Sequence, residues 1–235
     1  METPMPLSRE QIIKAGTDLY QAEIDQIQVP VLTVQYPDMT LDEAYAIQDV
    51  LMEKKMAAGD PQIGWKIGLT SRAMQMALNI TTPDSGLILK SMDFAHGSTI
   101  PKGTFIEPRI EAEIAFVMKD AVAGPDVTRE QVIAATAYVA PSLEILDTRV
   151  QRRDPATGQL RKVQDSIADN AANSGLVLGP QKHAFDAFDL RWVGCITLLN
   201  GMPEETGLGA GVMNDPVMGI VWLVKRLATL GQSLQ

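Results

Sequence analysis

Two glutamates lie two positions apart in the stretch PRIEAEIAFV, residues 108–117. Apolar residues alternate along this stretch, which is typical of a β-strand, where residues two apart point to the same side. Glu111 and Glu113 are therefore expected side by side on one face of a strand. Because that face continues with Ala115 and Val117, we expect it to be shielded from plain solvent.

A third acid, Glu144, lies in the apolar stretch SLEIL. A buried carboxylate is unfavourable unless it is paired, hydrogen-bonded or bound to a metal. Two interpretations are open at this point. The glutamates face solvent or pair with Arg109 and Arg149, which is the commoner case for an arbitrary Glu-x-Glu. Alternatively they hold Mg²⁺ or Mn²⁺, which take oxygen ligands and keep positions for water or an anionic substrate.

The composition excludes several other functions. The chain has 235 residues, 46% of them apolar and 21% charged, as expected for a globular protein with a real core. Its net charge of −9 argues against a nucleic-acid partner. No apolar run reaches membrane-spanning length, and the start METPMPLSREQ has no apolar signal core. With the single Cys195 unable to form an internal disulfide, we expect a cytoplasmic protein.

The elements that position the acids follow from capping patterns and apolar periodicity. Capping boxes at Ser8, Thr40 and Thr128 predict helices to about residues 24, 58 and 138. A short helix is predicted at 72–77, and a last helix after Pro216. Strands are predicted at 63–69, 86–90, 98–106, 108–118, 140–146, 175–179 and 190–201.

Helices come first in this order, and the strand-rich body lacks strict β–α alternation, which favours an α+β fold. We expect an N-terminal helical region, 1–60, and a catalytic domain, 61–235.

The chain resembles the fumarylacetoacetate hydrolase superfamily, and within it the hydratase and decarboxylase branch of aromatic meta-cleavage pathways. The resemblance covers nearly the whole chain in order. It is carried by GWKIGLTSRAMQ (64–75), TTPDSG (81–86), PRIEAEIAFV (108–117), SLEILDTR (142–149) and DSIADNAANSGLVLG (165–179). It implies a mixed β-roll of the superfamily's C-terminal-domain type, preceded by a helical part. Family members usually run further, so we expect the final strands of the roll to be missing here.

The resemblance also implies a Mg²⁺ or Mn²⁺ site at Glu111, Glu113 and Glu144, and it makes Lys66 and Asp84 the catalytic candidates. Lys66 lies among apolar residues, where a lysine readily moves a proton or holds an oxyanion. Without the resemblance, a snorkelling lysine would be the preferred interpretation. Asp84 lies in Pro-Asp-Ser-Gly, where a purely structural role in a turn is the alternative to acid–base work.

Further residues are predicted around the substrate. Arg72 and Leu69 are the substrate-binding candidates, because a guanidinium suits a distal carboxylate. The pair Arg161 and Lys162 is a second candidate, for which surface solvation is the more common explanation. The residues expected to support ligands or Lys66 indirectly, rather than touch metal, are Asp165, Asp169 and Asn170.

Within the branch, LTSRAMQ and residues 152–175 resemble hydratases of homoprotocatechuate breakdown, which implies water addition to a small diacid 2-oxo-enoate. Two alternatives stay open: a 2-oxo-enedioate decarboxylase of the 4-oxalocrotonate type, and a non-catalytic subunit of a hydratase–decarboxylase complex. An apolar face on the last helix, with Leu223, Val224 and Leu227, predicts self-association into a homo-oligomer.

Overall fold

The computed structural model describes residues 7–235; the polar start METPMP lies outside the described residues. The helices are α1 (Arg9–Asp25), α2 (Leu32–Gln35), α3 (Leu41–Ala57), α4 (Arg72–Ala77), α5 (Arg129–Ala135), α6 (Val163–Ala168) and α7 (Pro216–Thr229). The strands are β1 (Gln62–Gly68), β2 (Asp84–Leu89), β3 (Asp93–Phe94), β4 (Arg109–Met118), β5 (Thr136–Leu146), β6 (Asn173–Leu178), β7 (Gly194–Leu199) and β8 (Met202–Leu208).

The three predicted capping boxes are confirmed. Ser8, Thr40 and Thr128 each accept a hydrogen bond from the backbone three residues on, and the Gln or Glu there bonds back to the cap. Each box satisfies backbone N–H groups that would otherwise have no partner at the start of a helix. Helix α3 ends at Ala57, and Gly59 follows with a φ of +97°, the left-handed conformation that glycine adopts without strain.

Three predictions of local structure were wrong. At 190–201, Leu190–Trp192 form a 3-10 turn, and the strand β7 covers only Gly194–Leu199. Residues 98–106 form a loop rather than a strand, because Pro101 and Gly103 interrupt the apolar pattern with turns. Helix α5 stops at Ala135 rather than near Tyr138, and β5 starts at once with Thr136.

The strands form three sheets. β1 pairs with β2, a four-stranded sheet has the order β3-β6-β5-β4, and β7 pairs with β8 in an antiparallel hairpin. The hairpin turns at Asn200 and Gly201, whose φ values of 53° and 84° fit the tight turns that Asn-Gly favours. The predicted α+β class is confirmed to the extent that helices and sheets are mixed without a regular β–α alternation.

The chain forms two compact units, each built from separated segments. Unit 1 comprises the described residues up to Lys66 with Ser85–Ile110 and Ile145–Leu176; unit 2 comprises Ile67–Asp84, Glu111–Glu144 and Val177–Gln235. The division into 1–60 and 61–235 stays a prediction.

Unit 1 is organised around helices α1 and α3. A Cβ atom at Gly16 would lie 2.6 Å from Cβ of Val50, so the two helices approach too closely for any larger residue. The core includes Leu19, Ile47 and Leu51, all at most 1% exposed. Burying each such side chain contributes about 1.5–3 kcal/mol to folding.

In unit 2, α7 packs against α5. Leu223, Val224 and Leu227 are at most 1% exposed, so the apolar face of α7 belongs to the core. The prediction that this face is exposed for self-association was therefore wrong. Exposed apolar residues occur on the hairpin, where Ile196 is 65% and Met202 69% exposed, and also elsewhere on the surface, as at Trp192 and Met76. Within residues 7–235, no helix is long and apolar enough to cross a membrane.

Candidate active site

Three carboxylates converge in unit 2. Glu111 and Glu113 lie on β4 two positions apart, and Glu144 lies on the neighbouring strand β5. One carboxylate oxygen of each lies within 4.8 Å of those of the other two. Glu144 is buried, whereas Glu111 and Glu113 are exposed, so the expectation that their face is shielded from solvent was wrong.

The three oxygens fit a divalent cation. Mg²⁺ binds oxygen at about 2.1 Å, so two ligands on opposite sides of one ion are at most about 4.2 Å apart. Small side-chain rotations bring oxygens within 4.8 Å of one another to that span. The donor set contains only carboxylate oxygens, which suits Mg²⁺, Mn²⁺ or Ca²⁺ better than metals that prefer nitrogen or sulfur.

In unit 1, Lys66 lies on β1, and its Nζ donates a hydrogen bond to the carbonyl oxygen of Ala171, 3.2 Å away. Ala171 is the middle of three consecutive residues with positive φ: Asn170 at 55°, Ala171 at 51° and Ala172 at 60°. Residues other than glycine rarely adopt this conformation, which costs roughly 1–2 kcal/mol each. Such strain persists only where the surroundings over-determine it, and it clusters at functional sites.

The surroundings that hold this segment are hydrogen bonds to β2. The Asn170 side chain accepts from Leu87 N at 2.8 Å and donates to Leu87 O at 2.9 Å, as a strand partner would. Asn173 donates to the same carbonyl at 3.0 Å. A Cβ atom at Gly86 would lie 2.5 Å from Asn170 O, so glycine is required for this approach. Asn170 thus fixes the direction of the Ala171 carbonyl toward Lys66.

Asp169 anchors the same segment to a buried arginine. Arg149 is 2% exposed; its Nε donates to Asp169, which is 0% exposed, and its Nη1 donates to Glu23 at 3.2 Å. Burial alone lowers the pKa of Arg149, but the charges of Asp169 and Glu23 outweigh it and raise that pKa above its ordinary value. Lys55 donates to Glu23 from the other side at 2.7 Å.

The same network lowers the pKa of one acid, Glu23. Burial raises the pKa of Glu23, but the charges of Arg149 and Lys55 outweigh it, so the pKa lies below its ordinary value. Asp165 is engaged separately: its carboxylate accepts from Thr33 N at 2.8 Å, Thr33 Oγ1 at 2.6 Å and Lys162 N at 2.7 Å. Asp169 and Asn170 therefore hold the segment whose carbonyl meets Lys66, whereas Asp165 binds Thr33 and the start of α6.

Asp84, Leu69 and Arg72 lie in unit 2, whereas the predicted pair Arg161 and Lys162 lies in unit 1. Asp84 is 4% exposed and begins strand β2, so its assignment to a turn was wrong. Leu69 follows β1 with a left-handed φ of 54°, and its carbonyl accepts from Gln75 Nε2 at 2.7 Å. Arg72 is the first residue of α4 and is exposed. The structure thus groups the three glutamates in one unit, and Lys66 with the 165–170 segment in the other.

Sequence reasoning missed the part played by Arg149, which was considered only as a partner for the glutamates. Asp147 was missed as well: its carboxylate accepts from Ile106 N and Glu107 N at 2.9 and 2.6 Å. The signal was the density of charge in the otherwise apolar stretch LEILDTRV, since a charge among buried residues needs a partner.

Comparison with known proteins identifies the class. No protein-family model matches the chain. The chain is 45% identical to a 2-oxo-hept-4-ene-1,7-dioate hydratase of Escherichia coli over 92% of this chain and 81% of that protein. Its structure matches a 4-oxalocrotonate decarboxylase of Pseudomonas putida, complexed with magnesium and adipate, with TM-score 0.88 and 30% identity over 97% and 84% of the two chains. A putative fumarylacetoacetate isomerase/hydrolase of Oleispira antarctica shares the fold (TM-score 0.50, 21% identity, 74% and 75% covered).

The chain belongs to the family of 2-oxo-enoate hydratases and 4-oxalocrotonate decarboxylases, and it shares the fold of the putative fumarylacetoacetate isomerase/hydrolase. It is an enzyme of the lyase class. The prediction of a hydro-lyase of aromatic catabolism is confirmed.

Proposed function

We propose that the chain is a divalent-metal-dependent hydratase that adds water to a small 2-oxo-enoate carrying a second carboxylate, namely 2-oxohept-4-ene-1,7-dioate, giving 4-hydroxy-2-oxoheptanedioate. The observation that carries this proposal is the convergence of Glu111, Glu113 and Glu144 within 4.8 Å. The 45% identity to a hydratase named for that substrate supports it. In this proposal the sheets form the mixed β-roll of the superfamily, and the enzyme is a homo-oligomer.

The three glutamates would hold Mg²⁺ or Mn²⁺. When bound, this cation supplies Lewis-acid stabilisation of negative charge at the 2-oxygen of the substrate. The magnesium in the related decarboxylase structure supports the choice of a divalent ion. Three neighbouring carboxylates repel one another, and a bound cation would relieve that repulsion.

Lys66 is the proposed proton-transfer residue. Its Nζ would donate a hydrogen bond to the 2-oxygen as negative charge develops there during ketonisation of the dienol. Its bond to Ala171 O fixes one of the three ammonium protons and leaves the side chain oriented. The strained 170–172 segment is then a device that positions the ammonium group rather than one that reacts.

Ketonisation of the dienol, with protonation at C5, would leave the double bond between C3 and C4. Asp84 would then orient or deprotonate the water that adds at C4, while a proton is delivered to C3. Arg72 would bind the distal carboxylate through its guanidinium, and Leu69 would line the chain of the substrate. Asp165, Asp169 and Asn170 would act only indirectly, through the parts of the chain they hold.

A second candidate function is decarboxylation of a 2-oxo-enedioate. The structural match to a 4-oxalocrotonate decarboxylase favours it. The same cation would stabilise the same enolate charge, but carbon dioxide would leave at the other end of the substrate instead of water adding.

The test is to incubate the protein with 2-hydroxyhepta-2,4-diene-1,7-dioate and Mg²⁺, with and without EDTA, and to identify the products by mass spectrometry. The proposal predicts the gain of one water, abolished by EDTA. Loss of carbon dioxide would replace it with the decarboxylase, and a folded protein with no product would point to the non-catalytic subunit.

A further inference from the structure

Two arginines lie opposite each other at the base of a short loop in unit 1, whose two ends pair in antiparallel fashion. Arg153 and Leu160 form an antiparallel bridge, and Arg161 N donates to Arg152 O at 3.0 Å, so Arg152 and Arg161 are directly opposite. Side chains of opposed residues lie on the same face, and two like charges there are unfavourable. A chain that places two guanidinium groups in this way needs an acid between them or loses stability.

The loop is held firmly, so the two arginines do not simply diverge. At its tip, the Asp154 carboxylate accepts from Thr157 N at 2.7 Å and from Thr157 Oγ1 at 2.8 Å. At its base, Gln151 N donates to Val29 O at 2.9 Å, and Lys162 N donates to Asp165 at 2.7 Å.

The acids of unit 1 do not neutralise the pair. Arg152 Nε lies 3.1 Å from an oxygen of Glu107, which is itself 47% exposed. Arg161 Nη1 is buried without any hydrogen-bond acceptor among the described residues. The charges of Asp169 and Asp165 attract Arg161, but their oxygens are bonded to other donors. Asp169 accepts from Arg149, and Asp165 accepts from Thr33 Oγ1 and Lys162 N.

The electrostatics of Arg161 agree with this geometry. Burial lowers the pKa of Arg161, and the charge of Arg152 lowers it further, despite attraction by Asp169, Asp165 and Glu107. Buried arginine nitrogens are normally hydrogen-bonded, so Arg161 Nη1 is placed to donate to an anion or a water. One negative charge beside Glu107 would balance the two guanidinium groups.

We propose that Arg152 and Arg161 form a carboxylate-binding site in unit 1. A carboxylate matches the planar fork of a guanidinium and can accept from two of them. A single negative charge completes the balance, whereas a phosphate dianion would add excess charge beside Glu107, Asp165 and Asp169. The carboxylate is either the second carboxylate of the diacid substrate, an assignment that rests on the proposed function and would replace Arg72 as its partner, or a separate small carboxylate anion.

The binding experiment needs no turnover. Glutarate and acetate are titrated by calorimetry into the full chain in the presence of EDTA, with neutral glutaramide as the ligand control. We expect Arg161→Gln and Arg152→Gln each to weaken glutarate binding by about ten- to hundredfold, as for the loss of one charge-assisted contact. Arg153→Gln is the matched control, since Arg153 is exposed in the same loop, and it should bind as wild type.

Arg161→Lys keeps the charge without the fork and should restore part of the affinity, which shows that any loss in Arg161→Gln is not misfolding. The proposal is overturned if wild type binds neither anion, or if both glutamine variants bind as well as wild type. Kinetics then identify the source of the carboxylate. If Arg161→Gln raises KM for the seven-carbon diacid but not for 2-hydroxypenta-2,4-dienoate, the site binds the second carboxylate of the substrate. If KM is unchanged for both while glutarate binding is lost, the site binds a separate anion.

Discussion

Lys66 donates a hydrogen bond to the carbonyl oxygen of Ala171, and Ala171 has a left-handed backbone that alanine rarely adopts. The two residues are 105 positions apart, so the contact depends on the tertiary fold. Asn170 and Asp169 are bonded to other parts of unit 1 in ways that fix the same segment. The relationship gives a charged side chain a defined direction.

Replacing Lys66 with methionine should abolish turnover and leave metal affinity unchanged. The variant keeps the length of the side chain but removes the ammonium group that would meet the developing charge on the 2-oxygen. The measurements are product formation and Mn²⁺ binding by electron paramagnetic resonance. Lys102→Met, in an exposed loop, is the control and should react normally. An unchanged kcat in Lys66→Met would remove Lys66 from the mechanism.

Replacing Asn170 with alanine should destabilise the protein by about 2–4 kcal/mol, because Leu87 N then has no acceptor and the left-handed conformation becomes harder to hold. Chemical denaturation measures the loss. If the segment positions Lys66, the folded variant should also show a lower kcat with little change in metal affinity. Wild-type stability would contradict the assignment of Asn170 as the residue that fixes this segment.

Replacing Arg149 with methionine should cost about 3–5 kcal/mol, the usual effect of leaving a buried acid without its partner. Asp169 would lose its main donor, and Glu23 would lose one of two. Arg153→Met, on the surface, should change the free energy of unfolding by no more than about 0.5 kcal/mol. Equal stabilities of the two variants would show that the Arg149–Asp169 pair contributes nothing net.

The stability of the protein should fall in acid in part through Glu23. Its pKa is lowered on folding, so its contribution is complete above the unfolded pKa and is lost as the pH falls through the folded one. Glu23→Gln should therefore flatten the acid limb of a plot of melting temperature against pH. An identical acid limb in wild type and variant would show that Glu23 is not a source of the pH dependence.

Local signals in the sequence predicted much of the fold. The capping boxes at Ser8, Thr40 and Thr128 act within four residues, and all three are present. The loop at 98–106 was taken for a strand because its apolar residues were given more weight than Pro101 and Gly103. The left-handed run at 170–172 could not be predicted, because it is held by Leu87 and Asp147, which lie far away in the sequence.

Part of the candidate site was likewise predictable from local sequence, and part depends on the tertiary fold. Glu-x-Glu on one strand follows from the two-residue period, and the third ligand, Glu144, came from resemblance rather than from spacing. Arg149 is buried, and Arg152 lies opposite Arg161, because of how distant strands and loops pair. No short stretch of the sequence predicts that pairing. Asp84 was assigned to a turn by its Pro and Gly neighbours, although it begins a buried strand.

The most direct test of the central claim is to titrate the metal-free protein with Mn²⁺, and to measure bound Mn²⁺ and the rate of water addition in the same samples. The proposal predicts that the rate rises in proportion to bound Mn²⁺ and saturates at one ion per chain. Glu144→Gln should lose both together, while Glu130→Gln, an exposed glutamate outside the cluster, should retain both. Full-rate water addition by the wild type in excess chelator, or by Glu144→Gln without bound Mn²⁺, would contradict it.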